Sequence, residues 1–487
     1  MSEIRTEKYV EASREGMQDA VLQKALADLQ QRFGRGTAEA YRQLPEGPEL
    51  RRVAHRIRQR AIDHLDVLLE KLADKVRENG GHVFFAETAR DAVDYCLAVA
   101  RQNNVHRVVK GKSMVSEEIG LNASLEDVGI EVSETDLGEF IIQLAGETPS
   151  HIIAPAIHKT RYEVADLFAQ KLGIDHITDP PALTQAARKA LREKFLAADM
   201  GTSGCNLACA ETGHITAVSN EGNIRMSTTM PRVHMAFMGM ERIVATLEEH
   251  DAIVRLLCRG AAVQNIATYV SYIGGPCQAG EPDGPEAFHL VVLDNGRSRI
   301  LGDPDFREML YCIRCAACLN VCPVYRKIGG HSYGYPYSGP VGAVVTPLLT
   351  GINRAKDLCQ GETLCSACKD ACPIDIDLPR MLLLLRQKLA YGDRKWGVTP
   401  DNRIEAMAYR AWSLLMRNRR LYETALKIAS RAQQLLTGKN GMIDKLPPPF
   451  AGWTETRDLR PVAKKSFTAK WRDGEYEMKH GAKASDQ

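Results

Sequence analysis

The stretch CIRCAACLNVCPVY, residues 312–325, places four thiols within eleven positions and follows the last with a proline. Two residues between successive thiolates let a tight loop wrap one corner of a cubane iron–sulfur cluster. Cys312, Cys315 and Cys318 can then ligate from one short loop whose backbone N–H groups point at the sulfurs. Cys322, further along and just before Pro323, is the position that serves the other cluster in two-cluster ferredoxins. Zinc is the competing reading, but structural zinc more often uses two separated cysteine pairs. A chance run of buried cysteines is the other alternative.

A second run follows in CQGETLCSACKDACPIDI, with Cys359, Cys365, Cys368 and Cys372 ahead of Pro373. The spacing of Cys365, Cys368 and Cys372 matches the end of the first run. Where its first cysteine is expected, position 362 is Glu. Crossed ligation therefore gives one [4Fe–4S] cluster Cys312, Cys315, Cys318 and Cys372. The other takes Cys322, Cys365 and Cys368 and needs a fourth ligand. Cys359 is the candidate; otherwise the second centre is three-iron or takes a non-cysteine ligand. Two adjacent clusters make an electron relay.

The elements that must hold these runs read as follows. Residues 1–75 are rich in Ala, Leu, Glu, Gln, Lys and Arg with apolar positions three and four apart, which predicts helices. Across 76–297 strand-like pieces (GGHVFFAE, HRVVKGKSMV, VGIEVSETD, SHIIAPAI, HITAVSNEG, PRVHMAFMG, AFHLVVLDNG) alternate with helical ones such as TARDAVDYCLAVARQNN and RYEVADLFAQKLG. That pattern predicts an α/β domain with a largely parallel sheet. Residues 300–385 form the cysteine-rich module. The 36 residues between Cys322 and Cys359 exceed the spacer of a compact bacterial ferredoxin and predict a helical ferredoxin module. Residues 386–487 read as a helical region with an irregular tail.

The composition is that of an ordinary globular chain: 487 residues, 44% hydrophobic and 25% charged. A formal net charge of +2 gives no argument for nucleic-acid binding. The N-terminal residues lack the apolar core of a signal peptide, and no apolar run reaches the roughly 18–20 residues of a membrane span. The chain reads as cytoplasmic, with peripheral docking to a membrane partner left open. Thirteen cysteines, eight of them clustered, suit metal ligation in a reducing compartment. Cys96 and Cys258 read as small buried hydrophobes. Cys205 and Cys209, four apart, would face each other on a helix turn, which leaves a metal or redox pair as an alternative reading.

No dinucleotide fingerprint is present, and KGKS at 110–113 lacks the first glycine of a phosphate loop, His106 standing there. The chain thus carries electrons but shows no site that takes a hydride from a substrate. It reads as a non-catalytic electron-transfer component that needs partners. Polar, glycine-containing pieces of the α/β domain are further candidates: Lys110–Ser113, Glu117 and Glu118, Asn206, Glu211–Gly213 and Asn220–Asn223. Loops at strand ends are where α/β sheets bind ligands, and a carboxylate could meet Lys112 there. Each is also an ordinary turn or cap residue. His158, His214 and His234 read more simply as hydrogen-bonded structural residues.

The pieces VVKGKSMVSEEIGLNASLEDVGIEVSETDLGEFIIQLAGETPSHIIAPAIHK and ADMGTSGCNLACAETGHITAVSNEGN resemble a lactate-utilisation domain. Together with the cysteine runs and the tail GWTETRDLRPVAKKSFTAKW, the chain resembles the lactate-utilisation iron–sulfur protein family from about residue 20 to 475. The resemblance implies a sugar-isomerase/CoA-transferase-like α/β fold and two [4Fe–4S] clusters. It also implies an electron carrier in oxidation of L-lactate to pyruvate, beside a cysteine-rich partner and a second α/β protein, with the final acceptor unknown. The alternative is an iron–sulfur subunit of another oxidoreductase, quinone- or disulfide-reductase-like. A third reading makes the α/β domain itself an enzyme and the clusters structural. The chain departs from the family at Cys205 and Cys209, where small or aliphatic residues are expected, and at Cys359.

Overall fold

The computed structural model describes residues 4–400, 403–438, 440–448 and 450–474. They form two compact units, the first reaching Thr399 and the second starting at Pro400.

Ten strands lie in the first unit: β1 (His82–Ala86), β2 (Arg107–Lys110), β3 (Glu131–Glu134), β4 (Met200–Gly204), β5 (Leu207–Cys209), β6 (Ile215–Ser219), β7 (Val233–Gly239), β8 (Ile243–Val244), β9 (Tyr269–Ile273) and β10 (Ala287–Leu293). Six make a wholly parallel sheet in the order β1-β10-β7-β4-β2-β3. The central strand β7, VHMAFMG, is buried at every residue, as a parallel strand covered on both faces must be. The other four form a smaller mixed sheet, β8-β5-β6-β9. This is the α/β domain expected from the alternation of strands and helices. Helix starts follow their caps: Thr88 and Asp91 make a reciprocal capping box on Ala89–Gln102.

Two expectations fail. SHIIAPAI is not a strand; His151 Nδ1 accepts from the N–H groups of Ile153 and Ala154 at 3.1 Å each. Those donors are spent locally, and Pro155 has none to give a ladder. Cys205 and Cys209 do not share a helix turn. Cys205 follows β4 and Cys209 ends β5.

The cysteine module is helical, with short helices Ala317–Val321, Tyr325–Ile328, Lys356–Gly361 and Ala367–Asp370 between the longer Gly339–Thr350 and Leu378–Tyr391. It shares one apolar core with the N-terminal helices, where Tyr9, Leu22, Leu26, Leu50 and Ile57 pack with Leu319, Tyr325 and Tyr333. The second unit holds helices Arg403–Arg417, Arg419–Ala432 and Phe467–Arg472. Among the described residues no helix is long and apolar enough to cross a membrane.

Candidate functional site

Both cysteine loops take the same backbone shape. Arg314 and Ala316, either side of Cys315, have φ of 57° and 62°. Leu364 and Ser366, either side of Cys365, have 58° and 67°. Left-handed backbone at residues other than glycine is unfavourable by about 1–2 kcal/mol each. Two such pairs at matching positions mark a functional constraint. Alternating hands turn successive N–H groups toward one point, the nest geometry that receives anionic sulfur. A short helix follows each loop, Ala317–Val321 and Ala367–Asp370.

Cys312, Cys315, Cys318 and Cys372 line one small cavity, walled otherwise by Arg314 and by apolar side chains such as Ile313, Val341, Ile374 and Ile376. Cys372 of the second run thus lines the same cavity as three cysteines of the first. Burial, and then the neighbouring cysteines Cys312, Cys315, Cys368 and Cys372, push the Cys318 thiol well up. Cys318 of the first run thus lies within electrostatic reach of Cys368 of the second. Burial pushes the Cys372 and Cys368 thiols up to about 12. Iron needs thiolates, so cluster assembly here releases protons. Among the described residues no three Cys, His, Asp or Glu side chains could hold one shared metal ion. A cubane asks something different, since each ligand takes its own iron. Four thiols round a dry cavity suit it.

The cysteines that the spacing assigns to the second set are Cys322, Cys365 and Cys368. Cys322 Sγ lies 3.4 Å from Glu362 Oε2, and Glu362 ranks next after burial among the influences that raise Cys368. Cys365 is exposed, whereas Cys315 at the matching place in the first loop is buried. Cys359 sits elsewhere. It is fully buried in helix Lys356–Gly361, its Sγ 3.7 Å from the carbonyl of Ala355. Burial pushes its thiol up to about 12, and the charged side chains acting on it are Arg386 and Asp357.

One helix grips both runs. Arg51, His55 and Arg58 occupy successive turns of Gly47–Asp63. Arg51 donates to the carbonyl of Cys372 at 3.1 and 2.5 Å. His55 Nδ1 is 2.8 Å from the carbonyl of Ile374. Arg58, wholly buried, donates to the carbonyls of Leu310 (3.0 Å), Ile243 (2.5 Å) and Glu241. Arg242 adds bonds to the carbonyls of Cys312 (2.8 Å) and Ile313 (3.1 Å). Four thiolates leave a cubane cluster net negative, and these guanidiniums supply opposing charge at short range. Sequence reasoning missed them. The spacing of Arg51, His55 and Arg58 on one helix face is a visible signal, but their targets lie between 183 and 321 residues away.

Beside the first set lies a larger cavity at the C-terminal ends of β2 and β4. Lys112, Ser113, Asn206, Asn220, Glu221 and Asn223 line it, drawn from three of the polar pieces singled out in the sequence. Cys205, Arg242, Arg314 and Tyr337 complete the wall toward Cys312. Lys112 Nζ is buried with no hydrogen bond among the described residues, 3.7 Å from Glu139. Arg314 stacks on Tyr337, 4.4 Å from the ring centre, and its Nη1 is also unbonded. Burial, then Asp136, pushes Glu221 up to about 7. Other candidates are structural: Lys110 pairs with Glu134 at 2.7 Å, and Glu211 accepts from the N–H of Leu247 at 3.1 Å. His234 is buried against Ser203 at 2.8 Å, and His158 lies 2.7 Å from Glu147.

Known proteins match along the whole of this arrangement. The LUD domain matches residues 69–293, the 4Fe-4S dicluster domain 308–376, and the C-terminal region of lactate utilisation protein B 398–476. Lactate utilization protein B of Shouchella clausii (strain KSM-K16) is 45% identical over 453 residues, covering 93% of this chain and 94% of its own. The chain belongs to the lactate utilization protein B family. Lactate utilization protein B 2 of Bacillus mycoides (strain KBAB4) is 44% identical, covering 95% and 96%. The Bacillus thuringiensis (strain Al Hakam) member is 43% identical, covering 96% and 98%. With the dicluster domain and eight cysteines in two runs, this family member is an iron–sulfur protein with two [4Fe–4S] clusters.

Proposed function

We propose that the chain is the iron–sulfur electron-transfer subunit of an assembly that oxidises L-lactate to pyruvate, passing electrons through its two clusters. The observation that carries the relay is the crossed packing. Cys318 of the first run lies within electrostatic reach of Cys368 of the second, one set lines a cavity, and Cys365 of the other is exposed. A buried centre beside a surface centre gives electrons an entry and an exit. The relatives' printed names support lactate as the donor. A hydride-accepting motif is absent from the sequence, which supports partners: a cysteine-rich protein and a second α/β protein.

The clusters, when bound, supply one-electron carriage. The chain's own residues do the rest. Arg51, Arg58 and Arg242 fix the cysteine loops, and apolar walls exclude water. The cavity with Lys112 and Arg314 supports contact between this chain and a small carboxylate beside the first centre.

The test is anaerobic. Holo-protein is mixed with its genomic-neighbour proteins and L-lactate, and the visible iron–sulfur absorption is followed, with dithionite as control. Bleaching that needs both lactate and the neighbours is the expected result. Bleaching by dithionite alone would move the reading to another oxidoreductase, with a different hydroxy acid or a thiol as donor.

A further inference from the structure

We propose that the Glu362 carboxylate is the fourth ligand of the second cluster, binding iron through Oε2 beside Cys322, Cys365 and Cys368. This rests on the two-cluster content and not on the lactate reading.

The backbone sets the equivalence. Cys315 and Cys365 sit between matching left-handed residues, so Cys312 in the first loop corresponds to Glu362 in the second. Both have extended backbone, φ −60° and ψ 126° at Cys312, φ −84° and ψ 145° at Glu362. Cys312 lines the first cavity from that position. Glu362 occupies the same place in the second loop, three residues before Cys365.

The side chain is poised. Glu362 is 7% exposed, and Oε2 lies 3.4 Å from Cys322 Sγ. The wholly buried Tyr333 donates its hydroxyl to Oε1 at 2.9 Å, which leaves Oε2 turned to the thiol. Arg386 does not reach the carboxylate; it donates at 2.6 Å to the backbone carbonyl of Glu362. Among the described residues the carboxylate's hydrogen-bond partners are thus a phenol and a thiol. A buried carboxylate with only neutral partners is unfavourable as an anion. An iron ion in that place supplies the missing positive charge, and carboxylate oxygen is an accepted iron ligand. The step is a plain exchange: the Oε2–iron bond forms, and any proton held by the carboxyl leaves to solvent.

Cys359 is the rival. Its Sγ faces the carbonyl of Ala355 within its own helix, and its backbone carbonyl is fixed by Arg386 at 2.7 Å. Reaching the second centre would require that helix to turn.

The experiment compares full-length wild type with Glu362→Ala, Glu362→Gln, Glu362→Cys and Cys359→Ala, each reconstituted anaerobically with iron and sulfide. Iron and sulfide content, and electron paramagnetic resonance of oxidised and reduced samples, are read without substrate. Wild type is expected to hold two four-iron clusters. Glu362→Ala and Glu362→Gln should lose one iron per chain and show a three-iron signal when oxidised. Glu362→Cys should keep all the iron with a shifted spectrum, which also guards against a variant that merely misfolds. Cys359→Ala should match wild type. The proposal is overturned if Cys359→Ala opens the second centre, or if Glu362→Ala and Glu362→Gln retain wild-type iron and spectra. It is equally overturned if wild type itself holds a three-iron second centre.

Discussion

Arg297 meets Glu118 in a two-pronged ion pair, Nη1 to Oε1 at 3.0 Å and Nη2 to Oε2 at 2.8 Å, with neither side chain reached by solvent beyond 2%. Arg297 Nε also binds Glu241 at 2.8 Å, and Tyr337 donates to Glu118 at 2.6 Å. Glu241 in turn faces Arg314 at 3.9 Å, next to Cys312. The chain of charges ties the α/β sheet to the linker between the cysteine runs and to the first cluster loop. Glu118, a ligand-site candidate in the sequence, is a structural clamp.

Removing the cation takes the fork from buried Glu118 and the Nε bond from Glu241, which keeps the longer contact to Arg314 at 3.9 Å. Arg297→Met is expected to destabilise the first unit by about 3–5 kcal/mol. Arg297→Lys should recover only part, because an ammonium cannot reproduce the fork. Anaerobic chemical denaturation of the holo-protein checks both.

The same clamp has a pH signature. Burial works to raise Glu118 and Glu241, but Arg297 overcomes it, and both carboxyls end below their usual range. The unfolded chain then binds these protons more tightly than the folded one. The contribution is present above about 4.3, the ordinary glutamate value, and is lost as pH falls through the lower folded values. In denaturation curves at several pH values, the stability gap between wild type and Glu118→Gln should narrow on acidification. A gap independent of pH would sink this account.

The arginine grip predicts cluster lability. Arg58→Met leaves several buried carbonyls without donors, at about 1–3 kcal/mol each. Its first cluster should bleach faster in air than that of wild type, with the second less affected. Arg51→Ala, which frees only the Cys372 side, should show a smaller change in the same assay.

A small carboxylate in the cavity beside Cys312 would meet Lys112. Calorimetric titration with L-lactate should show binding weakened about ten- to hundredfold in Lys112→Ala, the range of a charge-assisted hydrogen bond. Glu221, raised to about 7, is neutral below that pH and repels an anion less. Affinity in wild type should therefore rise as pH falls through about 7, and Glu221→Gln should flatten the dependence.

Local signals made most of this legible. Strands β1, β7 and β10 are apolar runs bounded by turns, and cysteine spacing brought out the two runs, of which Cys312, Cys315, Cys318 and Cys372 line one cavity. Strand β4, MGTSG, is not among the strand-like pieces of the sequence, because its small residues make no apolar run. Its smallness is tertiary: a Cβ on Gly201 would stand 1.7 Å from the carbonyl oxygen of Ser227, in the helix lying across it. The grip of Arg58 on Leu310 was illegible for a like reason, since only the folded chain brings them together. Position 362 was visible as a missing cysteine, but whether Cys359 or a carboxylate stands in for it is decided by side-chain direction, which spacing does not carry.

The crossed ligation yields the last prediction. If loops were self-contained, Cys372→Ser would damage the centre of its own run. Here Cys372 lies with Cys312, Cys315 and Cys318, and Cys322 lies against Glu362 near Cys368. Cys315→Ser and Cys365→Ser each remove a ligand whose centre is set by its own loop, so their spectra define loss of the first and the second centre. Cys372→Ser should reproduce the Cys315→Ser spectrum, and Cys322→Ser that of Cys365→Ser, in paramagnetic resonance of dithionite-reduced protein. The opposite pairing would mean that each run holds its own cluster, and the adjacency that makes the two centres a relay would go with it.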